Sequence, residues 1–167
     1  MPEISLTMRR AFNAERTDET AVALVTITHD DLDAPLRLSS DPTQRIASDP
    51  LTYGTVSNGE TFAFILMSAI VPDESRQSPP KSQLVLENVA SDMVALIRSF
   101  TTPAQARIDI VAASAPDFIE RSFVGMDVRH ASYDDARVTI DLSREAFTSE
   151  PWPSQHMTKS RFPGLHK

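Results

Sequence analysis

Apolar and polar residues alternate with period two over much of the chain, the spacing of strands whose two faces meet different surroundings. Ala21 to Thr28 (AVALVTIT) is rich in β-branched residues and predicts a strand. HDDLDAP then turns the chain into PLRLSS, residues 35 to 40, with Leu36 and Leu38 on one face, which predicts a hairpin. Asp41-Pro42 and Asp49-Pro50 bracket residues 41 to 50, and both pairs favour turns, so this stretch is expected to be a loop. Leu51 to Ser57 and Glu60 to Val71 flank Asn58-Gly59, a pair suited to the two positive φ angles of a type I′ turn. In the second of these strands Phe62, Phe64, Leu66 and Ile70 alternate with Ala63, Ile65, Met67, Ala69 and Val71. Both faces therefore call for cover, one of them from a neighbouring subunit.

Further along, Leu84 to Leu86 predicts a short strand and Ala106 to Ser114 (ARIDIVAAS) a longer one with one wet face. Phe123 to His130 and Arg137 to Leu142 predict a third hairpin, with Met126, Val128, Val138, Ile140 and Leu142 inward. Asp127, Arg129, Arg137 and Asp141 are left to pair across its outer face.

Two stretches carry the helical period instead. Residues 3 to 14 place Ile4, Met8, Ala11 and Phe12 on one stripe of a short amphipathic helix. Residues 88 to 100 open on Asn88 as a cap, line one side with Val89, Met93, Ile97 and Phe100, and stop before Pro103. The expected fold is mainly β, a sandwich or barrel of roughly eight strands in two packed sheets, with one flanking α-helix and a short N-terminal helix.

Two segments cannot build a core. PDESRQSPPKSQ, residues 72 to 83, is polar and proline-rich and is expected to be a mobile loop that orders only with a partner. From residue 148 the chain reads as an extended arm appended to a β-rich domain of residues 1 to 147. Trp152 between two prolines, then Met157, Arg161, Phe162, Pro163 and Leu165, form a spaced set of anchors on backbone that proline keeps extended. The arm either straps its own core or docks on an adjacent subunit. Docking is favoured because such a segment has less conformational freedom to lose.

Charge sharpens this division. The formal net charge is −7, yet residues 148 to 167 hold Glu150 against Lys159, Arg161 and Lys167, leaving the body at about −9. A body that acidic repels a nucleic-acid backbone and argues against sequence-specific nucleic-acid binding. The apolar run from Phe62 to Val71 is too short to span a bilayer as a helix, and the opening Met-Pro-Glu does not resemble a secretory leader. The expected site of synthesis and assembly is the cytoplasm. The absence of cysteine removes disulfides, thiolate metal sites and cysteine nucleophiles.

No constellation of residues calls for catalysis. His29, Asp30, Asp31 and Asp33 are near neighbours that point in different directions and read as a solvated turn rather than a metal site. His130 with Tyr133, Asp134 and Asp135 reads as a polar hairpin turn rather than a base and its orienting acid. Ser114 and Ser122 lie in no nucleophile-elbow context, and phosphate-cradling and H-E-x-x-H patterns are missing. The chain reads as non-enzymatic, with no catalytic residue, metal or cofactor.

Four blocks carry a resemblance: SLTMRRAFNAE at the start, LVTITHDDLDAPLRLSSD at 24 to 41, LVLENVASDMVALIRSF at 84 to 100 and MTKSRFPGL at 157 to 165. In this order they resemble a family of short minor tail proteins encoded among the tail genes of long-tailed, siphophage-like bacteriophages. The resemblance implies a distal-tail or tail-tip component with a fold related to tail-tube modules. It implies a place in the virion baseplate region between the tube or tape-measure end and the hub, in a ring of six or three copies. Iron–sulfur chemistry found among some minor tail proteins has no ligands here. The rival expectations are a carbohydrate-binding or host-recognition module and a tail assembly chaperone.

Overall fold

A computed structural model describes residues 4–70, 81–87, 102–134 and 137–143, together with Arg161 and Gly164. In chain order these residues form helix α1 (Leu6–Asn13) and strands β1 (Ala21–Thr28), β2 (Leu36–Ser39), β3 (Gln44–Ser48), β4 (Leu51–Ser57) and β5 (Glu60–Phe64). Strands β6 (Leu66–Ile70), β7 (Lys81–Glu87), β8 (Gln105–Ala112), β9 (Ala115–Asp134) and β10 (Arg137–Ser143) follow. The fold is mainly β with one short helix.

All ten strands belong to a single sheet of order β3-β4-β5-β2-β1-β8-β9-β10-β7-β6, which corrects the expectation of roughly eight strands in two sheets. Every neighbouring pair is antiparallel except β2 with β5. The sheet must curl, because β5 lies third from one end and β6 closes the other, yet only Ile65 separates them in the chain. Consecutive Cα atoms are about 3.8 Å apart, so the two ends of this run of strands are drawn together at Ile65. Its N–H donates to the Ser39 carbonyl at 3.0 Å, extending the β2 ladder by one residue, and its side chain turns into the core. The expected single strand from Glu60 to Val71 is therefore two strands meeting at a corner, a device by which sheets change direction.

The curl encloses the main core. Val25 and Ile27 of β1, Leu38 of β2, Leu84 and Leu86 of β7, Ile108 of β8, Phe123 and Met126 of β9, and Val138, Ile140 and Leu142 of β10 pack there with Ile65. Val22 and Leu24 fall on the other face of β1 because side chains alternate along a strand. There they meet Phe62 and Val111 in a smaller cluster. Phe123 and Met126 are three residues apart yet both inward. The ladder slips between Ala106 and Ile108, and Gly125 at φ +67° lies within the bulged stretch of β9.

Several local expectations hold. Asn58 and Gly59 have φ of +49° and +80°, as a type I′ turn requires, and join β4 to β5 in register. The β1–β2 and β9–β10 hairpins form, with Leu24 opposite Ser39 and Val138 opposite Tyr133. Others do not. Residues 44–48, expected within a loop, pair with β4 as an edge strand between the two Asp-Pro turns. The outer charges pair differently from the expectation as well: Arg137 reaches Glu87 at 2.8 Å and Gln83 donates to Asp141 at 3.0 Å, both contacts linking β7 to β10. The helix expected at 88 to 100 and the loop from 72 to 80 lie outside the described residues, while residues 81 to 83 begin β7.

Candidate assembly surface

Helix α1 is short, and only one of its side chains, Met8, is buried. Ser5 caps it, its Oγ accepting the Met8 N–H at 3.1 Å. The same serine is gripped from β9: the Glu120 carboxylate accepts the Ser5 N–H at 2.7 Å and also the Ser5 hydroxyl. Glu120 is itself buried, so this clasp fixes the start of the helix against the sheet. Leu6, Arg9 and Arg10 fall at i, i+3 and i+4, on the helix side opposite Met8. Phe12, expected on the buried stripe, is 69 % exposed, as is Leu6. The stripe read from the sequence fails at Phe12 because eight residues give little over two turns, and the contact made is at Met8.

A second carboxylate clasp lies at the β8–β9 hairpin. Glu19 accepts the Ser114 N–H at 3.1 Å and the Ser114 hydroxyl at 2.5 Å. These bonds to the ionised form hold the Glu19 carboxyl below its ordinary value, the hydroxyl contributing most. Ser122 likewise donates to Asp109, which is buried and ion-paired to Arg107 at 2.8 Å. Both serines considered as nucleophiles are thus hydrogen-bond donors to acids that hold the sheet together.

The acidic turn after β1 is organised by His29. Its Nδ1 accepts the Asp31 N–H at 3.1 Å, and its Nε2 lies 2.7 Å from Thr102 Oγ1 and 3.1 Å from the Thr102 carbonyl. The ring is thereby tied to the chain ahead of β8, while Asp30, Asp31 and Asp33 stay exposed. His130 lies within β9 opposite Asp141, in the ladder rather than in a turn.

The structure places the arm residues singled out in the sequence as follows. Arg161 is exposed in a turn, and Trp152, Met157, Phe162, Pro163 and Leu165 lie outside the described residues. The exposure of Phe12, by contrast, was not legible, since the sequence pattern assigns it to the interior with Met8.

A family model described as a domain of unknown function, DUF1833, matches residues 7–157. The chain belongs to this DUF1833 family. The match takes in α1 from Thr7, every strand, Trp152 and Met157, and ends before Arg161, Phe162, Pro163 and Leu165. None of the curated proteins matches it.

The DUF1833 sheet also carries a cleft of about 550 Å³ where β7, β9 and β10 run side by side, lined by Ser82, Gln83, Arg129, His130, Asp141, Leu142 and Ser143. A slip in the ladder shapes its floor. Asp141 faces His130 but Leu142 faces Val128, so Arg129 is an extra residue that pushes the strand outward. Arg129 pairs with Asp127 at 3.2 Å. Among the described residues no three His, Asp or Glu side chains gather as metal ligands.

Proposed function

We propose that this chain is a structural subunit of the tail tip of a long-tailed phage, packing against copies of itself in a ring between the tail tube and the hub. Supporting this reading is the condition of the sheet's two ends. Strands β3 and β6 are each hydrogen-bonded on one side only among the described residues, and Leu66 at the start of β6 is 55 % exposed. An open edge is a hazard in a free monomer and an assembly device in a ring. The acidic body suits a lumen through which DNA passes without adhering. The arm from residue 148, with Trp152, Met157, Arg161, Phe162, Pro163 and Leu165, would clasp a neighbour. Deleting the gene and restoring it in trans tests the reading: particles without the chain should lack functional tail tips, and normal tails in the deletion would overturn it.

The cleft between β7, β9 and β10 favours a second reading, a carbohydrate-binding module at the tail tip. Gln83, Asp141 and Arg129 supply the mixed donors and acceptors that sugar hydroxyls need. Binding of cell-surface glycans that Asp141→Ala abolishes would support this second reading, and no binding to any surface fraction would remove it.

A further inference from the structure

We infer that the outer face of α1 is the grip by which one copy of this chain holds the acidic body of the next, head to tail; the inference rests on the ring reading above. Leu6 and Phe12 are the most exposed large hydrophobic side chains among the described residues. They lie on the element that also carries exposed Arg9 and Arg10. The sheet's own arginines are mostly matched: Arg37 with Glu60, Arg107 with Asp109, Arg129 with Asp127 and Arg137 with Glu87. Neither Arg9 nor Arg10 meets a carboxylate among the described residues. Unmatched positive charge and uncovered apolar surface thus coincide on one helix. Met8 and the Ser5–Glu120 clasp fix one side of the helix on its own sheet, so Leu6, Arg9 and Arg10 face away from that sheet, while Phe12, one turn on from Met8, is exposed at the helix end.

The complement is on the body itself. Residues 17 to 143 hold 19 acidic against 9 basic side chains, so a second copy offers these arginines opposite charge. Geometry separates the two surfaces. Glu120, which anchors α1, lies level with Val22 and Val111, beside the ladder step from Ile119 to Arg121. The turn bearing Asp30, Asp31 and Asp33 follows Thr28, six residues or about 20 Å further along β1. Surfaces at opposite ends of one strand make a heterologous contact, the kind that generates rings rather than isolated pairs. The occupant of the α1 face is therefore a second copy, approached through the end of its sheet that carries the β1–β2 turn.

The test is light scattering on the full chain across a salt series, with circular dichroism confirming the fold of each variant. The wild type should form a closed oligomer that weakens as salt rises. Arg9→Glu with Arg10→Glu, both on exposed positions, should weaken association at least tenfold. Adding Asp30→Arg and Asp31→Arg to the same chain should restore it. An oligomer unchanged in the Arg9→Glu/Arg10→Glu variant overturns the α1 contact and leaves the ring reading standing. A wild-type chain that stays monomeric, but whose binding to a neighbouring tube or hub protein needs Arg9 and Arg10, overturns the self-contact and assigns the helix to that neighbour. A monomer that joins no tail structure at all overturns both readings.

Discussion

Asn58 and Asp117 are joined twice: the Asn58 backbone N–H donates to Asp117 Oδ1 at 2.6 Å and its side-chain amide to the Asp117 carbonyl at 3.1 Å. One residue forms the β4–β5 turn and the other begins β9, strands separated by β5, β2, β1 and β8 in the sheet. Ser57 adds a bond to the Pro116 carbonyl at 2.7 Å. At this seam and at the Ile65 corner the curled sheet meets itself. Asp117→Ala should therefore destabilise the fold by about 1–2 kcal/mol, the scale of a charge-assisted hydrogen bond at a partly wet site. Urea unfolding checks it, and an unchanged midpoint would deny the seam a share in stability.

Gly54 tests the packing of the flap formed by β3, β4 and β5. A Cβ there would lie 1.9 Å from the Phe62 carbonyl oxygen and 2.8 Å from Ile46 Cδ1, and the first of these is backbone in the paired strand. Gly54→Ala should cost about 1–3 kcal/mol, as overpacking does, with the loss appearing as earlier unfolding in denaturant.

The Ser5–Glu120 clasp makes a local prediction. Ser5→Ala removes the cap and the hydroxyl bond to Glu120 while leaving the backbone N–H bond to it, so α1 should lose about 1 kcal/mol while the sheet keeps its stability. Hydrogen exchange should show faster amide exchange over residues 6 to 13 and unchanged protection in β1 and β8. Equal loosening of the whole domain would mean that the helix is integral to the core.

Glu19 gives a pH dependence. Its folded-state value lies below the ordinary 4.5 because Ser114 bonds the ionised form, so its contribution is present above about 4.5 and disappears as pH falls through the folded value. Glu19→Gln should lower stability near neutrality and narrow the gap to wild type in acid. Glu19 is only half-buried, so the effect is modest. Melting curves at several pH values measure it.

Local chemistry explains what was legible in the sequence. Asn58-Gly59 specifies its turn without help from distant residues, the alternation in β10 needs only one buried face, and β1, buried on both faces, shows itself through its β-branched composition. β3 was hidden because its edge pairing comes from β4, whereas the two Asp-Pro pairs that mark its ends read as loop. β9 was read only from Phe123, since Pro116 and Gly125 break a strand whose length is set by pairing with both β8 and β10. The Ile65 corner was masked by apolar residues on both faces of the run. The arm anchors from Trp152 to Leu165 rest on composition, and their contacts fall outside the described residues apart from exposed Arg161.

Antibody labelling of purified phage particles under the electron microscope would locate the chain within the virion. Label is expected at the end of the tail farthest from the head, in most particles. Label on the head, or particles that contain none of the chain, would contradict a place in the tail tip.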